Sequence, residues 1–351
     1  MSVKTTLLRA GLETLYFSGA HRLMRPFVAG VGAILMLHHV RPARHDRFQP
    51  NGSLEVTPDY LARVIRHLRD AQIDLVSLDE MHRRLTEGDF AHRFACFTLD
   101  DGYRDNKEWA FPIFKAARVP FAIYVATSFP ERVGKLWWIA LEMAIARNDR
   151  IALTMDGETR RFACADADAK QATFDAIYRW LRALPSEEAA VDAVCGLAAS
   201  HGIDMASLCA DLCMDWNEIA AIARDPLTTI GAHTVNHVML GKASDTHART
   251  ELATSRAAIA AALGAPPAHL AYPYGDRATV GPREFRIAAE LGYRTAVTTR
   301  PGVLFAEHAQ HMTALPRISL NGAFQSARFI PVLVSGAATA LWNGFRRVDA
   351  A

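Results

Sequence analysis

Short apolar runs alternate with stretches of helical periodicity along almost the whole chain. Runs over residues 33–37, 73–76, 94–99, 121–125, 228–231, 269–272, 294–298 and 315–318 have the length and the β-branched and aromatic content of buried strands. Between them, apolar positions recur every three or four residues. Thr57 and Pro58 open one helix as an N-cap followed by proline at the first helical position, and Leu61, Val64, Ile65 and Leu68 form its buried stripe. Another helix fills 245–263 and is closed by Gly264 and the pair Pro266-Pro267. Such alternation predicts a parallel sheet, and seven or eight units of it predict a closed barrel. No internal repeat is visible.

One stretch breaks the rhythm. Residues 134–224 read as mainly helical (136–147, 169–184, 186–200 and 216–224, the last N-capped by Asp215) and fall between the fourth and fifth predicted strands. In a barrel, an insertion there is an elaborated loop over the C-terminal face, where active sites lie. Outside the barrel stand an N-terminal amphipathic helical segment (1–30) and a C-terminal helix (323–351). Lys4, Arg9, Arg22 and Arg25 surround Leu7, Leu8, Leu12 and Leu15 in the first, which predicts a peripheral contact with a membrane surface. The apolar run 27–37 follows those basic residues as it would in a signal peptide. No A-x-A cleavage site comes after it, and it is too short to span a bilayer, so it is expected as an uncleaved buried strand. The run 329–342 contains Pro331 and is expected to pack on the surface. These features predict a cytoplasmic protein, peripheral to the inner membrane, with export left open.

Composition narrows the class. The chain has 351 residues, of which 50% are apolar and 22% charged, too hydrophobic for disorder. Its net charge of +2 gives no excess suited to nucleic acid. Five cysteines, an odd number, imply no disulfide framework, and Cys209 with Cys213 reads as two buried free thiols rather than a zinc knuckle.

Three blocks carry chemistry, each at the end of a predicted strand. In the first, Phe97-Thr98-Leu99 runs into Asp100-Asp101-Gly102-Tyr103. Side chains alternate along a strand, so adjacent aspartates at its end can take different tasks, and Gly102 permits the turn that exposes both. In the second, His233 and His237 stand four apart, a spacing that puts two imidazoles on one face of a helical turn and suits one zinc ion. Two histidines and one aspartate leave a coordination position open, as catalytic sites do. In the third, Tyr272-Pro273-Tyr274-Gly275 fixes the backbone around Tyr274, whose amide could face a developing oxyanion.

Together these blocks (TLDDG at 98–102, HTVNH at 233–237, YPYG at 272–275) resemble the polysaccharide deacetylases, the NodB-homology group of carbohydrate esterase family 4. The resemblance covers roughly residues 31–320 and implies an α/β fold, a distorted (β/α)7-8 barrel over 31–322 with its helical insertion at 134–224. It implies Asp100 as general base, Asp101, His233 and His237 as ligands of a divalent metal (Zn²⁺ first, then Co²⁺, Mn²⁺ or Ni²⁺), and the Tyr274 amide as oxyanion donor. Two departures stand out. The third block usually opens with an arginine that orients the catalytic aspartate, and here that position is Ala271. The last block usually carries a general-acid histidine, and here Leu315-Pro316-Arg317-Ile318 has none. Some members supply that histidine from the first strand, which Met36-Leu37-His38-His39 resembles. His38 is therefore the expected acid, with His39 as the alternative, and Arg317 the expected replacement for the missing arginine. Tyr103, Trp137, Trp138 and Pro273 are candidates for substrate contact, Trp137 and Trp138 as a stacking wall or as core anchors.

The implied activity is hydrolysis of N-acetyl groups of amino sugars, as in chitooligosaccharide deacetylases, on an acetylated glycan or a lipid-linked oligosaccharide. A glycan O-acetyl esterase using the same site, or a relative that binds glycan without turnover, are the alternatives. Adjacent aspartates cannot flank a sugar as glycosidase carboxylates do, and no G-x-S-x-G elbow supports a serine esterase.

Overall fold

The computed structural model describes residues 3–350, the side chains of Val3 and Lys4 apart. Seven parallel strands form its centre: β1 (Gly32–Leu37), β2 (Phe94–Leu99), β3 (Phe121–Val125), β4 (Thr228–Ala232), β5 (His269–Ala271), β6 (Thr295–Pro301) and β7 (Leu315–Ser319). They pair in the order β1-β7-β6-β5-β4-β3-β2, and β2 returns to β1 through a six-residue register from Gly32↔Phe94 to Leu37↔Leu99, which closes the barrel. The expected strand at 73–76 shrinks to Asp74–Leu75 and stays outside the ring, paired with Phe94 and Ala95 at the start of β2. The insertion expected between the fourth and fifth strands therefore follows β3 of the ring.

Strand parity builds two layers. Ile34, Cys96, Tyr124, Val297 and Leu315 gather in one cluster. Their neighbours Leu35, Phe97, Ile123 and Ile318 join another with the stripe Leu61, Val64, Ile65 and Leu68. That stripe belongs to α3 (Pro58–Asp70), capped by Thr57 as its sequence predicts. The chain before it forms α1 (Val3–Phe17) and α2 (Ala20–Val28), and α4 (Leu78–Glu87) and α5 (Phe111–Ala117) follow α3 around the barrel.

The insertion comprises α6 (Trp137–Ala146), α7 (Ala167–Ala183), α8 (Glu187–Ser200), α9 (Met205–Leu212) and α10 (Trp216–Ala223). It also contains an antiparallel hairpin, Arg150–Met155 with Glu158–Ala163, that the helical reading did not anticipate. Its core includes Leu141, Phe174, Ile177 and Val194 and runs on into Tyr103 and Phe129 of the barrel face. α11 (Asp245–Leu263) and α12 (Pro282–Glu290) complete the barrel's outer helices.

At the C-terminus, the expected single helix is two, α13 (Phe329–Val334) and α14 (Ala337–Trp342). They break at Gly336, whose backbone has φ +76° and lies so near Val28 that an added Cβ would sit 2.1 Å from its carbonyl oxygen. Leu12, Leu15 and Val28 pack on Phe329, Val332 and Ala337, so both chain ends share one core. The run 27–37 divides: Phe27 and Val28 end α2, and the buried strand begins at Gly32.

Candidate active site

The site lies where β1, β2, β4, β5 and β7 end. Asp100 follows β2, and its amide donates to the Leu37 carbonyl at 3.0 Å. It shares the parity of Cys96 and Thr98. Arg317 shares that of Leu315, so both project toward the barrel axis. Arg317 grips Asp100 with two parallel bonds, Nη1 to Oδ1 and Nη2 to Oδ2, each 2.7 Å. Its Nε donates to the Thr298 carbonyl at 2.8 Å and Nη1 to Thr98 Oγ1 at 3.3 Å, which fixes the fork in place. Burial pushes the Asp100 carboxyl up, but the Arg317 charge and hydrogen bonds outweigh it and hold it below the ordinary carboxylate range.

His38 and His39 leave β1 in opposite directions. His38 Nε2 lies 3.9 Å from Asp100 Oδ2. Burial pushes the His38 imidazole below its usual value, more than the charges of Asp100 and Asp101 raise it. His39 Nδ1 donates to Asp105 Oδ2 at 2.6 Å, and the ring stacks on Tyr103 with ring centres 3.6 Å apart.

Asp101 takes φ +75° and turns its carboxylate to the histidines. Asp101 Oδ1 is 3.5 Å from His233 Nε2 and 3.4 Å from His237 Nε2. The ligand-type atoms of the three residues all lie within 4.8 Å of one another. His233 Nδ1 bonds the Ala271 carbonyl at 2.7 Å, which assigns the proton to Nδ1 and leaves the Nε2 lone pair facing Asp101. Asp101 Oδ1 is buried and makes no hydrogen bond, a cost that a cation at the centre of the three would remove. The donor set of one carboxylate and two imidazoles fits a divalent ion of the zinc type. In the chain alone, burial pushes His237 down to about 4. Burial would raise the Asp101 carboxyl, but the facing imidazoles of His233 and His237 hold it far below its ordinary value.

The histidines do not share a helical turn, contrary to expectation: residues 233–239 form a loop with positive φ at Thr234 and His237. Glu251 of α11 pins that loop, accepting from the Val235 and Asn236 amides at 2.8 and 2.9 Å, while Thr234 Oγ1 accepts from the His237 amide at 3.0 Å. Asp101, Thr234, His237 and Tyr274 are four of the nine non-glycine residues with positive φ among the described residues, so backbone strain concentrates in the three blocks.

Tyr274 has φ +60°, and its amide finds no acceptor among the described residues. Its ring centre is 5.0 Å from that of His237. The hydroxyl donates to Glu187 at 2.8 Å, Arg182 lies 4.6 Å over the ring, and Thr299 Oγ1 donates to its carbonyl. Pro273 beside it is buried.

The aromatic candidates for substrate contact line the back of the site rather than an open face. Tyr103 is fully buried, Trp137 is 2% exposed and Trp138 6%. Trp138 Nε1 donates to the Tyr103 hydroxyl at 3.1 Å, and its ring stands 4.9 Å from that of His237. Trp137 Nε1 donates to Glu187 at 3.1 Å. The cap core claims both indoles, because each N–H needs a buried partner and finds one there.

Glu187 and Glu251 went unread in the sequence. Glu187 stands just after the N-cap Ser186, where an acidic residue is ordinary helix chemistry, and Glu251 lies in an alanine-rich helix. Their signal is burial of a carboxylate, visible only once the elements are packed.

A model of the family described as polysaccharide deacetylase matches residues 87–296, more than half of the chain. No curated protein matches the sequence. Among solved structures, the chain is similar to the Streptococcus pyogenes deacetylase PplD in complex with acetate. The identity is 18%, with 83% of this chain and 92% of that one covered and a TM-score of 0.55. It is also similar to IcaB from Ammonifex degensii, at 16% identity over 86% of this chain and 97% of that one, with a TM-score of 0.53. At these identities the likeness speaks for the barrel fold.

Proposed function

The chain belongs to the polysaccharide deacetylase family and is a carbohydrate deacetylase, a hydrolase of non-peptide carbon–nitrogen bonds, and from that premise we propose that it removes N-acetyl groups from amino sugars of a glycan, leaving free amine and acetate. The observation that carries this reading is the pairing of two adjacent aspartates with opposite partners: Asp100 on Arg317, Asp101 on His233 and His237. A divalent cation held by Asp101, His233 and His237 would polarise the acetyl carbonyl and acidify an attacking water.

The chain's own residues do the rest. Asp100, kept ionised and aimed by Arg317, takes a proton from the attacking water. The Tyr274 amide, which has no acceptor among the described residues, donates to the oxyanion of the tetrahedral intermediate. His38, 3.9 Å from Asp100, gives a proton to the departing amine, without which an amide nitrogen leaves poorly. His39 is spent on Asp105 and Tyr103, which favours His38 as the acid. Acetate, bound by the S. pyogenes relative, is the acid this reaction releases.

One observation favours an O-acetyl ester as a second substrate linkage. Burial lowers the His38 imidazole, and an alkoxide needs protonation on leaving less than an amine does. Acetate release from N- and O-acetylated chitooligosaccharides and from acetylated exopolysaccharide fragments, with and without chelator, tests both. Release from N-acetylated members that stops with chelator and returns with Zn²⁺ is expected. Release from O-acetylated members alone overturns the amide reading, and no release from any metal-loaded sample favours a glycan binder.

A further inference from the structure

Of the nine large apolar side chains exposed among the described residues, seven lie on α1, α2 and residues 341–345, a small part of the chain. A surface helix normally turns its apolar edge inward. α2 buries Val28 but leaves Leu23 and Phe27 76% and 75% exposed. Leu341, 51% exposed, joins these features into one surface. It borders a groove of about 440 Å³ shared with Phe27 and Phe345, and another of about 700 Å³ shared with Leu7 and Trp342.

The sequence of the two chain ends that build this surface is predominantly basic. Residues 1–31 hold four basic side chains, Lys4, Arg9, Arg22 and Arg25, against the single acid Glu13, and the chain after residue 322 holds three against one. These two ends carry more positive excess than the net +2 of the whole molecule. Arg346 and Arg347 line the smaller groove, and Arg22 and Arg25 occupy the other edge of α2 beside Arg93. Burial, with a smaller push from the nearby Arg25 charge, lowers the Arg93 guanidinium to about 10.

We propose that this apolar, basic-rimmed face docks the protein on the surface of an anionic phospholipid bilayer. Exposed leucine and aromatic side chains enter the headgroup–acyl boundary, and arginines at the rim meet the lipid phosphates. A second copy of the chain fits the face less well, because two such faces would bring their arginine rims together. No single described helix is long and apolar enough to cross a membrane. The barrel residues that line the larger groove include Thr299 and Arg317, which bond Tyr274 and Asp100 of the site. Docking therefore sets the catalytic face close to the membrane.

The test is sedimentation of the full chain with vesicles of phosphatidylcholine alone and of phosphatidylcholine mixed with phosphatidylglycerol, at low and high salt. Retention at least about tenfold greater on the anionic vesicles, reduced by salt, is expected. The double variants Phe27→Ser with Leu341→Ser, and Arg22→Gln with Arg25→Gln, should each weaken retention at least about fivefold. All four positions lie outside the catalytic machinery, so melting temperature and turnover of a soluble acetylated oligosaccharide should stay as in the parent. Equal or no retention on the two vesicle types overturns the proposal, as does retention that neither double variant changes. A dimer in light scattering that the apolar double variant dissolves would assign the face to a second copy instead. Loss of turnover in every sample with vesicle binding intact would count against the catalytic reading alone.

Discussion

Asp100 occupies a place that would ordinarily protonate a carboxyl, since it is 1% exposed, and it stays ionised because Arg317 meets both of its oxygens. Replacing it by asparagine keeps the shape and removes the base, so kcat should fall at least ~10²-fold, the usual worth of a general base. Near-parental turnover of Asp100→Asn on a metal-loaded sample would take the role from it. Arg317→Lys keeps the charge but loses the fork. The Asp100 carboxyl then rises, and because a base works only when deprotonated, the acid limb of the pH–rate profile should move to higher pH, with kcat down about tenfold. An unmoved limb would mean that Arg317 is only structural. Alternation along β7 makes the inward direction of Arg317 legible from Leu315 in the sequence. Its partner, 217 residues earlier, was reachable only through a family pattern with Ala271 where arginine usually stands. Glu187 offered no such handle, since nothing local marks a helix-start glutamate as the acceptor of a tyrosine 87 residues on.

At the scale of elements, apolar runs predicted each strand of the barrel, because a strand buried on both faces has few polar positions to blur it. The hairpin at 150–163 went unread although its signal was present. Ile151, Leu153 and Met155 alternate with exposed residues, and Asp156-Gly157 takes positive φ at both positions, as a two-residue hairpin turn requires. The short helix over Ala306–Gln310 makes a testable contribution to stability. His308 there is fully buried and accepts the Phe305 amide at 2.9 Å, and burial lowers its imidazole from the ordinary 6.5 to about 4. The unfolded chain takes a proton near pH 6.5 that the folded chain refuses. Stability from this group is therefore complete above that pH and drains away as pH falls toward 4, by up to about 3 kcal/mol. Urea midpoints measured from pH 7.5 down to 4.5 should fall less steeply in His308→Gln than in the parent. Parallel curves would locate the acid sensitivity elsewhere.

Across the whole molecule, the cap and the barrel are joined at the site itself. The Met214 amide donates to Gly102 of the aspartate turn at 3.1 Å, and Glu187 of α8 holds Tyr274 of the third block. If that bond keeps the Tyr274 turn in its left-handed form, Glu187→Ala and Tyr274→Phe should each lower kcat about tenfold, and the double variant should be no worse than either, the signature of one shared interaction. Additive losses would mean that the two residues act separately. The same convergence governs the response to metal. Asp101 comes from the end of β2 and the histidines from the loop after β4, and the unfolded chain leaves them 132 or more residues apart. A cation therefore binds the folded barrel far better than the unfolded chain, and at a hundredfold excess over its dissociation constant it should add about 2.7 kcal/mol. Adding Zn²⁺ to chelator-treated protein should raise the melting temperature by a few degrees, and His233→Asn should abolish that rise while leaving the vesicle retention of α2 and α14 unchanged. A parental sample that melts identically with and without Zn²⁺ would mean that the unpaired Asp101 oxygen is satisfied by something other than a cation.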